Sequence, residues 1–319
     1  MRQLAAPLLA ERGQVASRVS AYLRLGKVQV WQHWYGVAVA WSLLPHTLVM
    51  ASRTLLTLLL MLVAIIGVMA ATAAFDDVTG YRDGTDERNY RQSTPVRSVR
   101  RKPLLTGELT EAEAIRFGRA AALLAMVATV ASYLAGGVSS PWPLVAFVVV
   151  ALLAMQYSAG LRISYIGGGE ALLVLTTAAS VAVPYAYVAG SVSSRVLVEG
   201  LLLGAFLLQI SAFSNTADAR NDRLAGRRTV ATQLSRSHNL LFTAAVFVFT
   251  SVGILAGWRA HVLPAWLPQL MVPVWAVNLI QLRLGLVEGR LLMARRIGFR
   301  AFDLGFVAML LANVFSPAS

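Results

Sequence analysis

Cysteine is absent from the 319 residues. That removes disulfides, thiolate metal sites and a cysteine nucleophile, and leaves the redox compartment unspecified. Charge is scarce as well: 13% of residues are Asp, Glu, Lys or Arg, where a soluble domain of this length carries roughly 25%. With 57% hydrophobic residues and a mean hydropathy of +0.64, the chain reads as an integral membrane protein. Acidic residues are scarcer still, 15 against 28 basic ones, for a formal charge of +13. A basic excess can signal nucleic acid. Here the charge lies between long apolar segments, and nucleic acid is excluded as a partner. The four histidines have no metal-site spacing.

Nine apolar segments are long enough to cross a hydrocarbon core of about 30 Å, which takes ~20 helical residues. They run near 33–50, 54–75, 113–135, 141–158, 170–190, 196–217, 239–257, 263–286 and 301–317. Backbone groups in lipid must be satisfied within the segment, so these are expected to be helices. The fold class is all-α, a multi-span membrane bundle of about nine helices around a central cavity. Residues 1–31 carry Arg2, Arg12, Arg18, Arg24 and Lys27 without an uninterrupted apolar core. That pattern is not a cleavable signal peptide, and two readings stay open, an interfacial helix or a solvated tail. Residues 32–319 form a single domain in this reading. Twenty-five of the 28 Lys and Arg fall on one side of the expected topology, and only Arg53, Arg195 and Arg259 on the other. The positive-inside rule then places the N-terminus in the cytoplasm and the C-terminus outside, in a cell membrane.

Two polar stretches break the apolar pattern, both on the expected cytoplasmic side. The first, 74–110, carries Asp76, Asp77, Asp83 and Asp86, followed by Arg97, Arg100, Arg101 and Lys102. The second, 214–235, carries Asn215, Asp218 and Asp222, followed by Arg227 and Arg228. Six of the fifteen acidic residues are concentrated here. The two stretches are expected to fold as opposed caps over the cavity mouth. Their repetition suggests a weak internal duplication, with halves near 54–160 and 196–290.

Residues three, four or seven apart share a helix face. Asn215, Asp218 and Asp222 therefore present one amide and two carboxylates together, Asp76 aligns with Asp83, and Asp86 follows at three. Hard divalent cations take oxygen ligands, and Mg²⁺ is held by one or two carboxylates, waters and substrate phosphates. Two such faces could hold two or three Mg²⁺ around one diphosphate. Arg101, Lys102, Arg227 and Arg228 could neutralise the charge developing on the leaving group. The plain alternative is that these are solvated charges at helix ends. Carboxylates facing a cavity at membrane-helix ends argue for function.

The two stretches resemble the UbiA superfamily of intramembrane prenyltransferases, in particular its menaquinone-type branch. That branch carries Asn-Asp-x-x-Asp-x-x-x-Gly-x-Asp, and DDVTGYRDGTD lies on it without a gap, matching at Asp77, Gly84 and Asp86. Asp76 replaces the leading Asn, and Gly80 the central Asp. KPLLTGELT, starting at Lys102, is similar to the family's Arg-Pro-Leu-x-Ser-Gly segment. Asn215-x-x-Asp218-x-x-x-Asp222 with Arg227-Arg228 is similar to the second motif. YSAGLRISYIGGGE, from Tyr157 to Glu170, resembles a third recurring piece. The resemblance covers most of residues 30–317, and nine helices is the family's count. It implies an isoprenyl diphosphate held by Mg²⁺ on Asp76, Asp77, Asp83, Asp86, Asn215, Asp218 and Asp222. Arg101, Lys102, Arg162, Arg227 and Arg228 would bind the diphosphate, and Tyr157 would stand near the diphosphate and stabilise the cation through its ring face. Arg162 also reads as a topology charge. Tyr165, Tyr185, Tyr187 and Trp275 could face the cation or simply pack.

Three functions are compatible with this pattern. The first is Mg²⁺-dependent transfer of an isoprenyl group to an aromatic or quinonoid acceptor, in contact with membrane lipid. The second is cyclisation of the chain without an acceptor. The third is a cation-coupled transporter, which the position of the carboxylates at helix ends disfavours, because transporter sites lie near the bilayer midplane.

Overall fold

The computed structural model describes residues 17–92 and 97–316. Expectations for residues 1–16 lie outside these. Among the described residues all regular structure is helical. The helices are α1 (17–25), α2 (Tyr35–Ser42), α3 (His46–Val49), α4 (Ser52–Arg82), α5 (Thr85–Glu87), α6 (Glu111–Gly136) and α7 (Trp142–Met155). They continue with α8 (Gly169–Ala189), α9 (Ser194–Leu224), α10 (Val230–Gln233), α11 (Arg236–Arg259), α12 (Leu267–Leu282) and α13 (Leu291–Phe315).

Seven helices are long and apolar enough to cross a membrane: α4, α6, α8, α9, α11, α12 with its π-helical extension to Val287, and α13. The expected count of nine is therefore not what the described residues show. The first expected segment is broken between α2 and α3, where Leu43 and Leu44 turn and Pro45 precedes α3. Proline supplies no N–H to continue a helix. Segment 141–158 contracts to the 14 residues of α7, about 21 Å of helix. The segment expected at 301–317 begins earlier, at Leu291, so most of the basic run 290–300 is helical.

α4 and α9 are the longest elements, 31 residues each, or about 46 Å. Both exceed the hydrocarbon thickness by roughly 16 Å. Their last turns, which carry the two acidic stretches, therefore extend past the apolar layer. α4 packs against α6, and α9 against α8 and α13. Small residues permit the close approach. A Cβ at Gly67 of α4 would meet the Ala121 carbonyl at 2.8 Å, and one at Gly200 of α9 would meet the Ala178 carbonyl at 2.9 Å. The apolar core far from the acidic stretches includes Met61, Tyr187, Leu203, Met271, Phe302 and Met309. Leucines such as Leu123, Leu134 and Leu241 face outward, as lipid contact requires.

Beside that core, Glu199 is fully buried. It accepts from Asn313 Nδ2 at 2.7 Å and pairs with Arg195 at 3.2 Å. This network ties α9 to α13. α1 closes the opposite end, burying Ala21 and Leu25 against Ala74, Val78 and Leu104.

Candidate active site

Beside the end of α4 lies a cavity of about 310 Å³, which α9 reaches at Leu207 and the turn after it at Arg227. Its polar end is formed by Asp76, Lys27, Arg227 and Tyr157. Its walls descend along α4 through Thr72, Met69 and Val68 to Ile65, along α7 to Phe147, and along α8 from Leu172 to Ser180. From Asp76 to Ile65 the helix rises roughly 16 Å. The chamber thus has a charged mouth and a largely apolar interior.

Each acidic stretch is gripped by a guanidinium from the other. Arg227 pairs with Asp76, and donates to Ser158 Oγ at 2.8 Å, while Ser158 also donates to Asp76. Reciprocally, Arg97 holds Asp218 in a two-pronged pair, at 2.6 Å and 3.0 Å. Asn221 Nδ2 donates to Asn89 Oδ1 at 2.8 Å, adding a neutral link between the same stretches. Two-pronged Arg–carboxylate pairs fix geometry as well as charge.

The remaining first-stretch carboxylates are also engaged. Lys102 Nζ lies 2.8 Å from Asp77 Oδ1 and 2.8 Å from Asp86 Oδ1, with the Tyr90 ring centre 5.4 Å away. All three charged residues are at most 7% exposed. Burial works to lower the Lys102 pKa, but Asp77 and Asp86 outweigh it and hold the ammonium well above its ordinary value. Lys27, just past α1, reaches Asp76 at 3.5 Å and Asp77 at 3.9 Å.

The expected alignment of Asp76, Asp83 and Asp86 on one helix does not form. α4 ends at Arg82, Asp83 caps it, and Gly84 turns the chain with φ +74°. Glycine enters that region without the steric cost other residues bear. Asp83 accepts from Thr85 N at 2.9 Å, Thr85 Oγ1 at 2.6 Å and the Tyr165 hydroxyl. Burial pushes its pKa up, yet these hydrogen bonds prevail and hold it below the usual carboxylate value. The missing side chain at Gly80 has a structural counterpart. A Cβ there would lie 2.9 Å from Asp86 Cγ and Oδ2, so Asp86 folds into the space such a side chain would need.

In the second stretch, Asn215, Asp218 and Asp222 do share the end of α9, as their spacing predicts. Asn215 Nδ2 donates to Glu170 Oε1 at 2.9 Å, and Glu170 also accepts from Val230 N at 2.9 Å. Asp222 is 3% exposed, and its interactions with Arg227 and Arg97 act through charge without a side-chain hydrogen bond.

The segment 156–168 bridges the two stretches. Ser164 N bonds Tyr157 O, and Arg228 N bonds Ser164 O. The Tyr157 ring lies 5.7 Å from the Arg227 guanidinium. Arg162, with φ +51°, is exposed and stacks over Tyr165 at 3.7 Å. Arg101 and Arg228 are exposed. Tyr185 and Tyr187 are buried in the distant core, and Trp275 packs against it, away from the chamber lining. Four participants were not singled out from sequence for the site: Lys27, Ser158, Glu170 and Arg97, which had stood only as one member of a basic run. Glu170 carried the clearest signal, an acid directly after three glycines at the start of a span.

Among the described residues no three carboxylate or imidazole groups converge tightly enough to cage a metal alone. Mg²⁺ does not need such a cage, since it keeps waters and substrate phosphates as ligands. A buried Asp222 whose carboxylate makes no side-chain hydrogen bond, one turn from Asp218, fits such an ion.

A model of the UbiA prenyltransferase family matches residues 24–297. The chain belongs to that family. A structure of digeranylgeranylglyceryl phosphate synthase in membranes superposes with a TM-score of 0.62 at 14% identity, covering 93% of this chain and 99% of the other. A UbiA homologue from Archaeoglobus fulgidus bound to DMAPP and Mg²⁺ superposes at 0.59 with 16% identity, covering 90% and 98%. The same homologue bound to GPP and Mg²⁺ gives 0.58 and 15%, covering 91% and 99%. At these identities the likeness is one of fold. No curated protein matches the chain.

Proposed function

We propose that this member of the UbiA family is a Mg²⁺-dependent membrane prenyltransferase, moving an isoprenyl group from an allylic diphosphate to an aromatic or quinonoid acceptor. The observation that carries this reading is the charged mouth formed by Asp76, Arg227 and Tyr157 over an apolar chamber roughly 16 Å deep. A diphosphate with an isoprenyl tail has the same division of polarity.

The diphosphate is expected to sit between the two stretches, met by Arg227 and Lys27, with the tail along Thr72, Met69, Val68 and Ile65. Asp218 and Asp222 would help to hold Mg²⁺, which would neutralise charge on the leaving group. As the allylic C–O bond breaks, its electron pair leaves with the diphosphate. The Tyr157 ring face offers the resulting cation a π surface. The acceptor carbon then forms the new C–C bond and loses its proton to a base at the polar mouth. The apolar walls exclude water, which would otherwise capture the cation. The basic excess on the polar-loop side supports a cytoplasmic mouth.

The test uses purified protein in detergent with Mg²⁺ and geranyl, farnesyl or geranylgeranyl diphosphate. Each is supplied alone, then with phenols, naphthoates, indoles or an isoprenyl glyceryl phosphate, the last prompted by the synthase of similar fold. Prenylated product only with an acceptor supports the transferase and names its acceptor class. A cyclic product without acceptor would replace it with a cyclase. No Mg²⁺-dependent diphosphate release from any donor would sink both.

A further inference from the structure

The carboxylates of the first acidic stretch already face cations of the chain. Asp76, Asp77 and Asp86 face Arg227, Lys27 and Lys102, and every one of these carboxylates is within ion-pair distance of at least one of them. The second stretch differs. Arg97 pairs with Asp218, whereas the Asp222 carboxylate is buried without a side-chain hydrogen bond and meets Arg227 and Arg97 through charge alone.

We infer that Lys102 takes the place of a metal ion in the first stretch, so that a bound diphosphate is accompanied by one divalent cation, held from the second stretch at Asp222. The inference rests on the prenyl diphosphate reading of the site.

Three features support it. First, the Lys102 ammonium bridges Asp77 and Asp86 at equal distances of 2.8 Å, as a bridging cation would, and the residue is only 7% exposed. Any divalent ion bound to those same oxygens would lie within a few ångströms of a buried ammonium, where like-charge repulsion is weakly screened. Second, the side chain that could supply another ligand from α4 is missing. Gly80 follows Asp76 by one turn, and a Cβ there would sit 2.9 Å from the Asp86 carboxylate. A carboxylate at 80 and the Lys102–Asp86 pair therefore compete for one space, and this sequence has the pair. Third, Asp83 is taken up by Thr85 and Tyr165 and offers the first stretch no free carboxylate in exchange. Lysine is a compact point charge with three donors, which suits a fixed bridge between two carboxylates. The cation supplied by the chain does not dissociate with product; the one at Asp222 can.

The experiment counts Mn²⁺ by electron paramagnetic resonance on the full chain in detergent, with inorganic diphosphate as the probe. One tightly bound Mn²⁺ per chain is expected for the wild type, none for Asp222→Asn, and two for Lys102→Met, which leaves Asp77 and Asp86 facing each other without a cation. Two Mn²⁺ in the wild type, or a count that stays at one in Lys102→Met, would overturn the inference while leaving the diphosphate reading intact. No Mn²⁺ in the wild type with diphosphate present would remove that reading, and the inference with it. If Lys102→Met is not recovered folded, the wild-type count decides by itself.

Discussion

Asp76 and Asp218 occupy equivalent places. Each sits six residues before the end of a 31-residue helix, and each is paired with a guanidinium from the opposite stretch. Beyond that point the stretches diverge. The first continues into Gly84, a short helix and a lysine that returns to bind Asp77 and Asp86. The second continues as helix to Asp222 and leaves that carboxylate buried and without a hydrogen bond. Similar acidic patterns thus yield one region whose carboxylates are all paired or hydrogen-bonded and another in which the Asp222 carboxylate has no such direct partner. The pattern of acids alone does not separate these roles; the position of the bases does.

The sharpest test of the contrast compares Asp222→Asn with Asp77→Asn. Losing the open carboxylate should lower kcat/KM for diphosphate release by about 10³-fold, the scale on which a single electrostatic contact to a leaving group acts, with little change in melting temperature. Asp77→Asn should show the reverse emphasis, a clear loss of thermal stability in detergent. Chelation with EDTA should arrest release in the wild type and be reversed by added Mg²⁺. If Asp222→Asn retains near-normal release, the division between the stretches is wrong.

Lys102→Met addresses the neutralised side directly. Removing one partner of a buried ion pair leaves uncompensated charge and costs about 3–5 kcal/mol. The expected readout is a marked drop in denaturation temperature. A stability near wild type would show that Asp77 and Asp86 reach water or neutralise on their own.

Gly80→Asp sharpens the same point with a smaller effect. Overpacking of this kind costs about 1–3 kcal/mol, since the new side chain meets the Asp86 carboxylate. Shortening Asp86 in the double variant Gly80→Asp/Asp86→Ser should recover much of the loss, because the two positions share one space and so do not add. Thermal denaturation of the two single variants and the double variant measures that coupling. Additive losses would mean that Gly80 has another role.

The helices of this fold were legible because lipid demands long apolar segments with satisfied backbones, and α4, α6, α8, α9, α11 and α12 lie where such segments run. The break at Pro45 and the 14-residue α7 were not, since apolar composition continues through a turn that packing stabilises. The second stretch was readable from spacing because α9 stays regular through Asp222. The first was not, because Gly84 ends the helical register that would have aligned Asp76, Asp83 and Asp86. Lys102 stood out as basic, but its partners lie 25 and 16 positions away in sequence, and no local pattern specifies that pairing. Lys27 read as one charge of a basic tail, whereas the packing of α1 on α4 brings it to Asp76.

The smallest effects are expected where the basic residues stand free. Arg101 and Arg228 each follow an acidic group and resemble each other as expected diphosphate ligands, yet both are exposed. Arg227, next to Arg228, turns inward to Asp76 and Ser158. Exposed charges interact weakly through water, so Arg101→Ala and Arg228→Ala should each change stability by no more than about 0.5 kcal/mol. Both should raise KM for the donor only a few-fold, with kcat unchanged, and the effect should shrink as salt rises. Arg227→Ala differs in kind. It removes the guanidinium that links the two stretches, so kcat and stability should both fall. A large, salt-independent loss in Arg101→Ala alone would mean that the first stretch closes further over a bound diphosphate, drawing Arg101 inward and narrowing the contrast with the second.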